Sequence, residues 1–238
     1  MTPRTIVAFP DHITTVVDLP TLRALSKSLF GLGLGPGWPL AEQPGFATAG
    51  FRLGNINLEI CAVDRKENPL DDWLTFEPVD LDTLAESLAA QGLSHDPFDA
   101  MIAGGHPIYT RVDLPALATN QTALQLCHTF YPTRTTGPEA PTNSAGVVRT
   151  RSVNIAIDPT HQAAFNLFMQ SATTQENYTF TDGPELVVSS SDTLRVDGLT
   201  VECVDPSHAA KALIDAGLRH VSDTEVGIGS LTLQLTTN

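Results

Sequence analysis

The stretch FRLGNINLEICAV, Phe51 to Val63, carries an amide, a carboxylate and a thiol at alternating positions. Read as a strand after a turn at Gly54-Asn55, it sets Ile56, Leu58, Ile60 and Ala62 on one face and Asn57, Glu59 and Cys61 on the other. A carboxylate opposite a clean apolar stripe is expected of a strand that lines a cavity. Glu77 shares a strand face with Trp73 and Thr75 in WLTFEPVD, where partial burial would raise its pKa and make it a base. Imidazoles are offered by His12 at the head of HITTVV, by His106 in the glycine-flanked GGHP, and by His128 in ALQLCHTFY. Arg52 and Arg111 have the chemistry to take a substrate carboxylate bidentately, and Trp38 and Trp73 to wall a cavity.

These residues need strands to carry them. HITTVV is predicted as a strand and LPTLRALSKSLFGLGL as a helix, since Leu19, Leu22, Leu25, Leu29 and Leu32 recur at helical spacing. GLGLGPG follows a helix and not a strand, so it is predicted to punctuate a loop over a cavity mouth and not to cradle phosphate. FATAGFRLG and NINLEICAV form a predicted antiparallel pair. A second strand, WLTFEPVD, precedes the helix LDTLAESLAAQGL with its glycine stop at Gly92, and strands follow near MIAGGHPIYTRV and ALQLCHTFY. After a Pro-, Thr- and Gly-rich segment the pattern restarts: RSVNIAID, the helix THQAAFNLFMQSA, then strands through NYTF, ELVVSS and DTLRV.

Trp73 to His95 aligns without gaps to Gly198 to His220, matching strand, helix and helix exit. Glu77 recurs in this match as Glu202, which points to a role in the module, such as pairing with an arginine. His95 and His220 also recur, each after a helix end, where an imidazole meets the C-terminal dipole. Four units follow: two in a domain at 1–131, a linker or exposed loop at 132–146, and two in a domain at 147–238. The fold class is α+β.

With 42% hydrophobic and 17% charged residues in 238, the chain reads as globular. A formal net charge of -14 argues against nucleic acid and anionic membrane surfaces as partners. Cys61, Cys127 and Cys203 are odd in number and widely spaced, which suits reduced core thiols. No apolar leader and no run of about 18 apolar residues is read, so a cytoplasmic location is expected. The Asn-X-Thr sequons at Asn120 and Asn177 then read as chance matches.

The strand opening with DHI, the hairpin ending in GNINLEI and the LTFEPVDLDTLAESLAAQGL unit resemble the vicinal oxygen chelate superfamily, especially its glyoxalase-like members. The resemblance is good over residues 11–95 and holds by module order beyond. It implies tandem βαβββ modules whose sheets curl into half-open barrels, and a divalent metal held by residues of the first and last strand of each module. His12 matches the ligand opening the first strand and Glu59 the carboxylate on the last strand of the first module. The second module opens with Trp73 where histidine is common, and its final acid falls near Cys127 or His128, so the implied metal set is His12, Glu59 and His128. In the C-terminal half Ser152 replaces His12, which leaves that half without a site. Imidazole plus carboxylate with open positions suits Fe, Mn, Zn or Ni acting as Lewis acid and template.

The expected function is thus metal-assisted lyase, isomerase or dioxygenase chemistry on a small molecule with vicinal oxygens. Glu59 and Glu77 are the catalytic candidates, and Trp73, Asn57, Thr75, Arg52, His106 and Trp38 line the cavity. The alternative is a metal-free protein of the same fold that sequesters a hydrophobic or aromatic compound, which the tryptophan at position 73 favours. A monomer or homodimer is expected, since four modules in one chain can satisfy their own pairing.

Overall fold

A computed structural model describes residues 5–35, 37–64, 70–103, 106–130 and 143–237, with the side chains of 103, 106 and 107 left out. Module one comprises β1 (Val7–Val16), α1 (Leu19–Gly31), β2 (Trp38–Gln43), β3 (Phe46–Arg52) and β4 (Asn57–Val63). Module two runs β5 (Asp72–Pro78), α2 (Leu84–Gln91), β6 (Asp99–Ala103), β7 (His106–Ala118) and β8 (Thr122–Thr129). The other half holds β9 (Val147–Ile157), α3 (Pro159–Phe168), β10 (Asn177–Tyr178) and β11 (Glu185–Ser190), then β12 (Arg195–Cys203), α4 (Pro206–Asp215), β13 (Arg219–Ser222), β14 (Glu225–Ile228) and β15 (Leu231–Thr236).

Two mixed sheets result, ordered β2-β3-β4-β1-β5-β8-β7-β6 (sheet A) and β10-β11-β9-β12-β15-β14-β13 (sheet B). Each is built alike. The opening strands of two modules pair antiparallel at the centre (β1 with β5, β9 with β12), and each is flanked in parallel by the last strand of its own module. Parallel pairing needs a crossover, which the module's helix supplies. The sheets curl into the half-barrels that the module pattern implies.

Aspartate and proline start three of the four helices. Asp18 accepts the Thr21 N–H at 2.8 Å, Asp158 accepts the N–H groups of Thr160 and His161, and Asp205 accepts that of His208, each with proline in the first turn. Leu22, Leu25 and Leu29 form the buried face of α1, which lies over β3 and β4. The core continues from helices and sheet A into sheet B, with Phe76 of β5 edge-on to Phe168 of α3 at 5.2 Å between ring centres. The Ser28 hydroxyl of α1 donates to the Ala216 carbonyl at the end of α4.

Some expectations change. The segment after GLGLGPG forms the strand β2, since Ala41, Glu42 and Gln43 pair with Thr48, Ala47 and Phe46 across the turn. MIAGGHPIYTRV is two strands of a hairpin, because residues on both sides of the glycines pair with each other. DTLRV is no strand of its own: Arg195 and Val196 already belong to β12, so the third module is one strand shorter than the others. Residues 132–142 of the expected linker lie outside the described residues, while Ala145 within it and Val147 just after it are buried. The three cysteines are unpaired and buried. Among the described residues no helix is long and apolar enough to cross a membrane.

Candidate active site

Strand register brings the chemistry to one face of sheet A. His12 lies beside Asn57 and Thr75, Thr14 beside Glu59 and Trp73, and Thr75 beside Gln125. On β3, Gly50 faces Glu59 and Arg52 faces Asn57. The intervening Ile13, Leu58, Ile60, Leu74, Phe76, Leu124 and Leu126 go to the core. Val16, Cys61, Trp73 and Ala123 make a separate apolar cluster at one end of the polar face, its floor.

The β1–β5 ladder is irregular between Pro10 and His12, and Asp11 falls at this bulge. Its carboxylate thereby sits beside its neighbour, accepting the His12 Nδ1–H at 2.8 Å. His12 Nε2 then points to Glu59 Oε2 at 3.6 Å, too far for a hydrogen bond. Glu59 is fixed on both oxygens: Thr14 donates to Oε2 at 2.8 Å and Thr48 to Oε1 at 2.5 Å. Thr48 in turn accepts the Trp38 indole N–H at 3.1 Å, and the Trp38 ring stands edge-on to His12 at 6.0 Å. A side chain at Gly50 would place Cβ 2.5 Å from the Trp38 ring, so glycine is what lets the indole lie against β3.

Burial alone would lower the His12 pKa, but the Asp11 hydrogen bond and the charges of Asp11, Glu59 and Glu77 outweigh it and raise it. Glu77 holds the Nδ1 of His128 at 2.5 Å, and burial pushes the Glu77 carboxyl up against the lowering pull of that imidazole. Asn57, 3% exposed, has an Oδ1 without a hydrogen-bond partner among the described residues. Arg52 lies near Asp11, whose charge acts on it. Cys127 is raised far above a reactive range by burial first and by Asp11, Glu77 and Glu59 next, so it is no nucleophile.

The site thus joins His12, Glu59, Asn57, Trp38, Thr75, Trp73 and Glu77 on one face. It does not assemble His12, Glu59 and His128 as one donor set. His128 is turned to Glu77, and among the described residues no three His, Cys, Asp or Glu side chains are placed to share an ion. His12 Nε2 and Glu59 Oε2 are close enough for one ion at ligand distances of about 2.1 Å, but stable catalytic sites have about three protein ligands. On the second module Gln125 accepts from Trp73 Nε1 at 3.0 Å and from Thr75 at 2.8 Å and donates to Asp113 at 2.8 Å, a closed network of poor ligands. The donor set does not fit a resident metal. Arg111 is held by Asp99 and Asp113. His106 opens β7, and its side chain lies outside the described residues. Sequence reasoning passed over Asp11, Thr14, Thr48 and Gln125. Alternation from His12 reaches Thr14, and register around the Gly54-Asn55 turn brings Thr48 to the same face.

Sheet B carries a different set at these positions. Ser152 donates to Asn154, Asn154 to Thr200, and Glu202 is paired with Arg149 at 2.9 Å.

No family model and no curated protein matches the chain. Solved structures do. A hypothetical protein from Staphylococcus aureus aligns with TM-score 0.65 at 8% identity over 97% of this chain and 99% of its own. The 2,3-dioxygenase LapB from Pseudomonas sp. KL28 aligns with TM-score 0.58 at 12% identity over 98% and 94%, and homoprotocatechuate 2,3-dioxygenase from Arthrobacter globiformis with 0.57 at 13% over 99% and 83%. The fold is that of the vicinal oxygen chelate proteins. At these identities the likeness extends to the fold alone.

Proposed function

We propose that the protein is an enzyme that moves a proton on a small molecule carrying adjacent oxygens, bound on the polar face of sheet A. The observation that carries this reading is the pairing of each imidazole there with a carboxylate, Asp11 with His12 and Glu77 with His128. The carboxylates of Asp11, Glu59 and Glu77 favour the protonated form of His12, whose Nε2–H is aimed into the gap before Glu59, where it can donate to a substrate carbonyl oxygen. Glu59, its two oxygens oriented by threonine hydroxyls, accepts from the neighbouring hydroxyl of the substrate. Glu77, made more basic by burial, takes the proton from carbon, and His128 orients it. The reaction class is an isomerisation or a lyase step. Similar structures named as 2,3-dioxygenases support small-molecule chemistry on this fold.

The test is a screen of hydroxycarbonyl and catechol-like compounds for turnover with the wild type and the Glu77→Gln variant. Turnover that Glu77→Gln abolishes supports the reading, and turnover unchanged in Glu77→Gln sinks it. The second reading, a metal-free binding protein, is favoured by the Trp73–Gln125–Asp113 network, which fills the middle of the second module with poor metal ligands, and by the pairing of Glu77 with His128. It predicts tight binding without turnover, with affinity unchanged by chelator. Elemental analysis checks the donor-set argument: near-stoichiometric Fe, Mn, Zn or Ni that disappears in the His12→Ala/Glu59→Ala double variant would overturn it.

A further inference from the structure

The side chains on the polar face of sheet A give most of their hydrogen-bond protons to one another. Thr14 and Thr48 donate to Glu59 at 2.8 and 2.5 Å, and the Trp38 indole N–H goes to Thr48 at 3.1 Å. On the second module Thr75 and Trp73 donate to the Gln125 carbonyl oxygen, and the Gln125 amide donates to Asp113. His12 gives its Nδ1–H to Asp11 and keeps one proton directed into the gap, on Nε2.

Acceptors are left over. A carboxylate has about four lone-pair sites, and the two threonines fill two of those on Glu59. Asn57 lies beside His12 in register, is 3% exposed and has an Oδ1 with no hydrogen-bond partner among the described residues. Gly37 leaves that oxygen bare, since a Cβ there would crowd it at 3.0 Å. A buried acceptor in this state costs free energy until a donor reaches it.

Charge has the same sense. Arg111 Nε is a buried donor with no hydrogen-bond partner among the described residues, yet Asp113 lies 3.5 Å from it and Asp99 3.2 Å from Nη2. A third carboxylate brought to that guanidinium would meet two like charges. Arg52, opposite Asn57 on β3, has Asp11 as the charge acting on it. The formal net charge of -14 adds a field that repels anions from the whole chain.

We propose that the small molecule bound on sheet A carries a protonated amine beside its adjacent oxygens, and neither a carboxylate nor a phosphate. The inference rests on the proposed seating of those oxygens at His12 and Glu59. His12 serves one accepting oxygen and Glu59 takes the neighbouring hydroxyl. The ammonium, with three donors and no acceptor, goes to Asn57 Oδ1 and to the unused lone pairs of Glu59. A carboxylate in the same place would bring acceptors to acceptors and a like charge to Asp11, Glu59 and Glu77. The same balance selects against a vicinal dicarbonyl, which has two oxygens to be served and one proton to serve them.

Catechols that differ only in one side arm, aminoethyl, ethyl or carboxymethyl, provide the test. Their binding to the wild type is measured by calorimetry in the absence of oxygen at about pH 7, where the amine and the acid are both charged. The amine should bind about tenfold more tightly than the ethyl compound and the acid more weakly than either, with the spread shrinking as salt is added. Asn57→Leu, which removes the waiting acceptor, should bring the amine to within about threefold of the ethyl compound. Equal affinities for all of them, or tightest binding of the acid, would overturn the amine while the seat for adjacent oxygens stands. Binding by none of them would overturn that seat and the amine with it. Should Asn57→Leu fail to fold, the order of affinities on the wild type decides.

Discussion

At Glu77 the same residue serves two ends. In sheet B its repeat, Glu202, is neutralised by Arg149, with Arg151 at 3.8 Å, the structural pairing that a carboxylate kept in both copies leads one to expect. In sheet A the partner is an imidazole, which can give the proton back. Glu77→Gln is thus expected to cut turnover by roughly 100- to 10,000-fold while leaving the circular dichroism spectrum unchanged. The rate should also carry two titrations. It should rise as pH climbs through the raised value of Glu77, which must be ionised to act, and fall as pH passes the raised value of His12, which must be protonated. A pH–rate profile flat from 4 to 9 would contradict both assignments. Thr48→Val, which frees one oxygen of Glu59 and unties Trp38, should weaken substrate affinity, seen as a raised KM, more than it slows the chemical step.

Among the elements, the strand-to-helix joints are the most exposed to single changes. Asp158 caps α3. Desolvation acts to raise its pKa, but hydrogen bonds from His161 and from two backbone N–H groups hold it at about 2. Asp158→Ala should cost about 1–2 kcal/mol. The wild-type contribution should be full above about pH 4 and vanish as pH falls through about 2, which acid unfolding of the two proteins would compare. The helices were legible in sequence, because leucine spacing and a glycine stop are local signals. So were Ile56, Leu58, Ile60 against Asn57, Glu59, Cys61, since alternation along one strand needs no partner. Which strands meet was not legible. Nothing local says that β1 lies between β4 and β5, or that His128 reaches Glu77 from a strand 51 residues away. The metal set was read by position in a module, whereas a bulge and side-chain direction decide what touches, and they turn His128 to Glu77. The β2 strand was missed because its side chains are largely exposed and give no apolar pattern.

As a whole, the molecule is two sheets that share one core, and the contact of Phe76 with Phe168 crosses between them. Phe168→Ala should cost about 3–5 kcal/mol. It should lower the stability of both halves together, so that calorimetry and Trp emission report a single transition in wild type and variant alike. Two separate transitions in the wild type would contradict a shared core.

Three of the pairs that make the site are closed over a long stretch of chain: 45 residues part Thr14 from Glu59, 50 part Thr75 from Gln125, and 51 part Glu77 from His128. Contacts of this range form late and slowly, because loop-closure entropy must be met before they reward it. On the ribosome, β1 emerges with its polar face bare and waits through the whole of α1, β2 and β3 for β4 to arrive beside it. The nascent chain therefore passes through a stage in which an unpaired parallel edge and a row of half-satisfied hydroxyls and carboxylates stand open, and this interval is when the protein has most need of a chaperone.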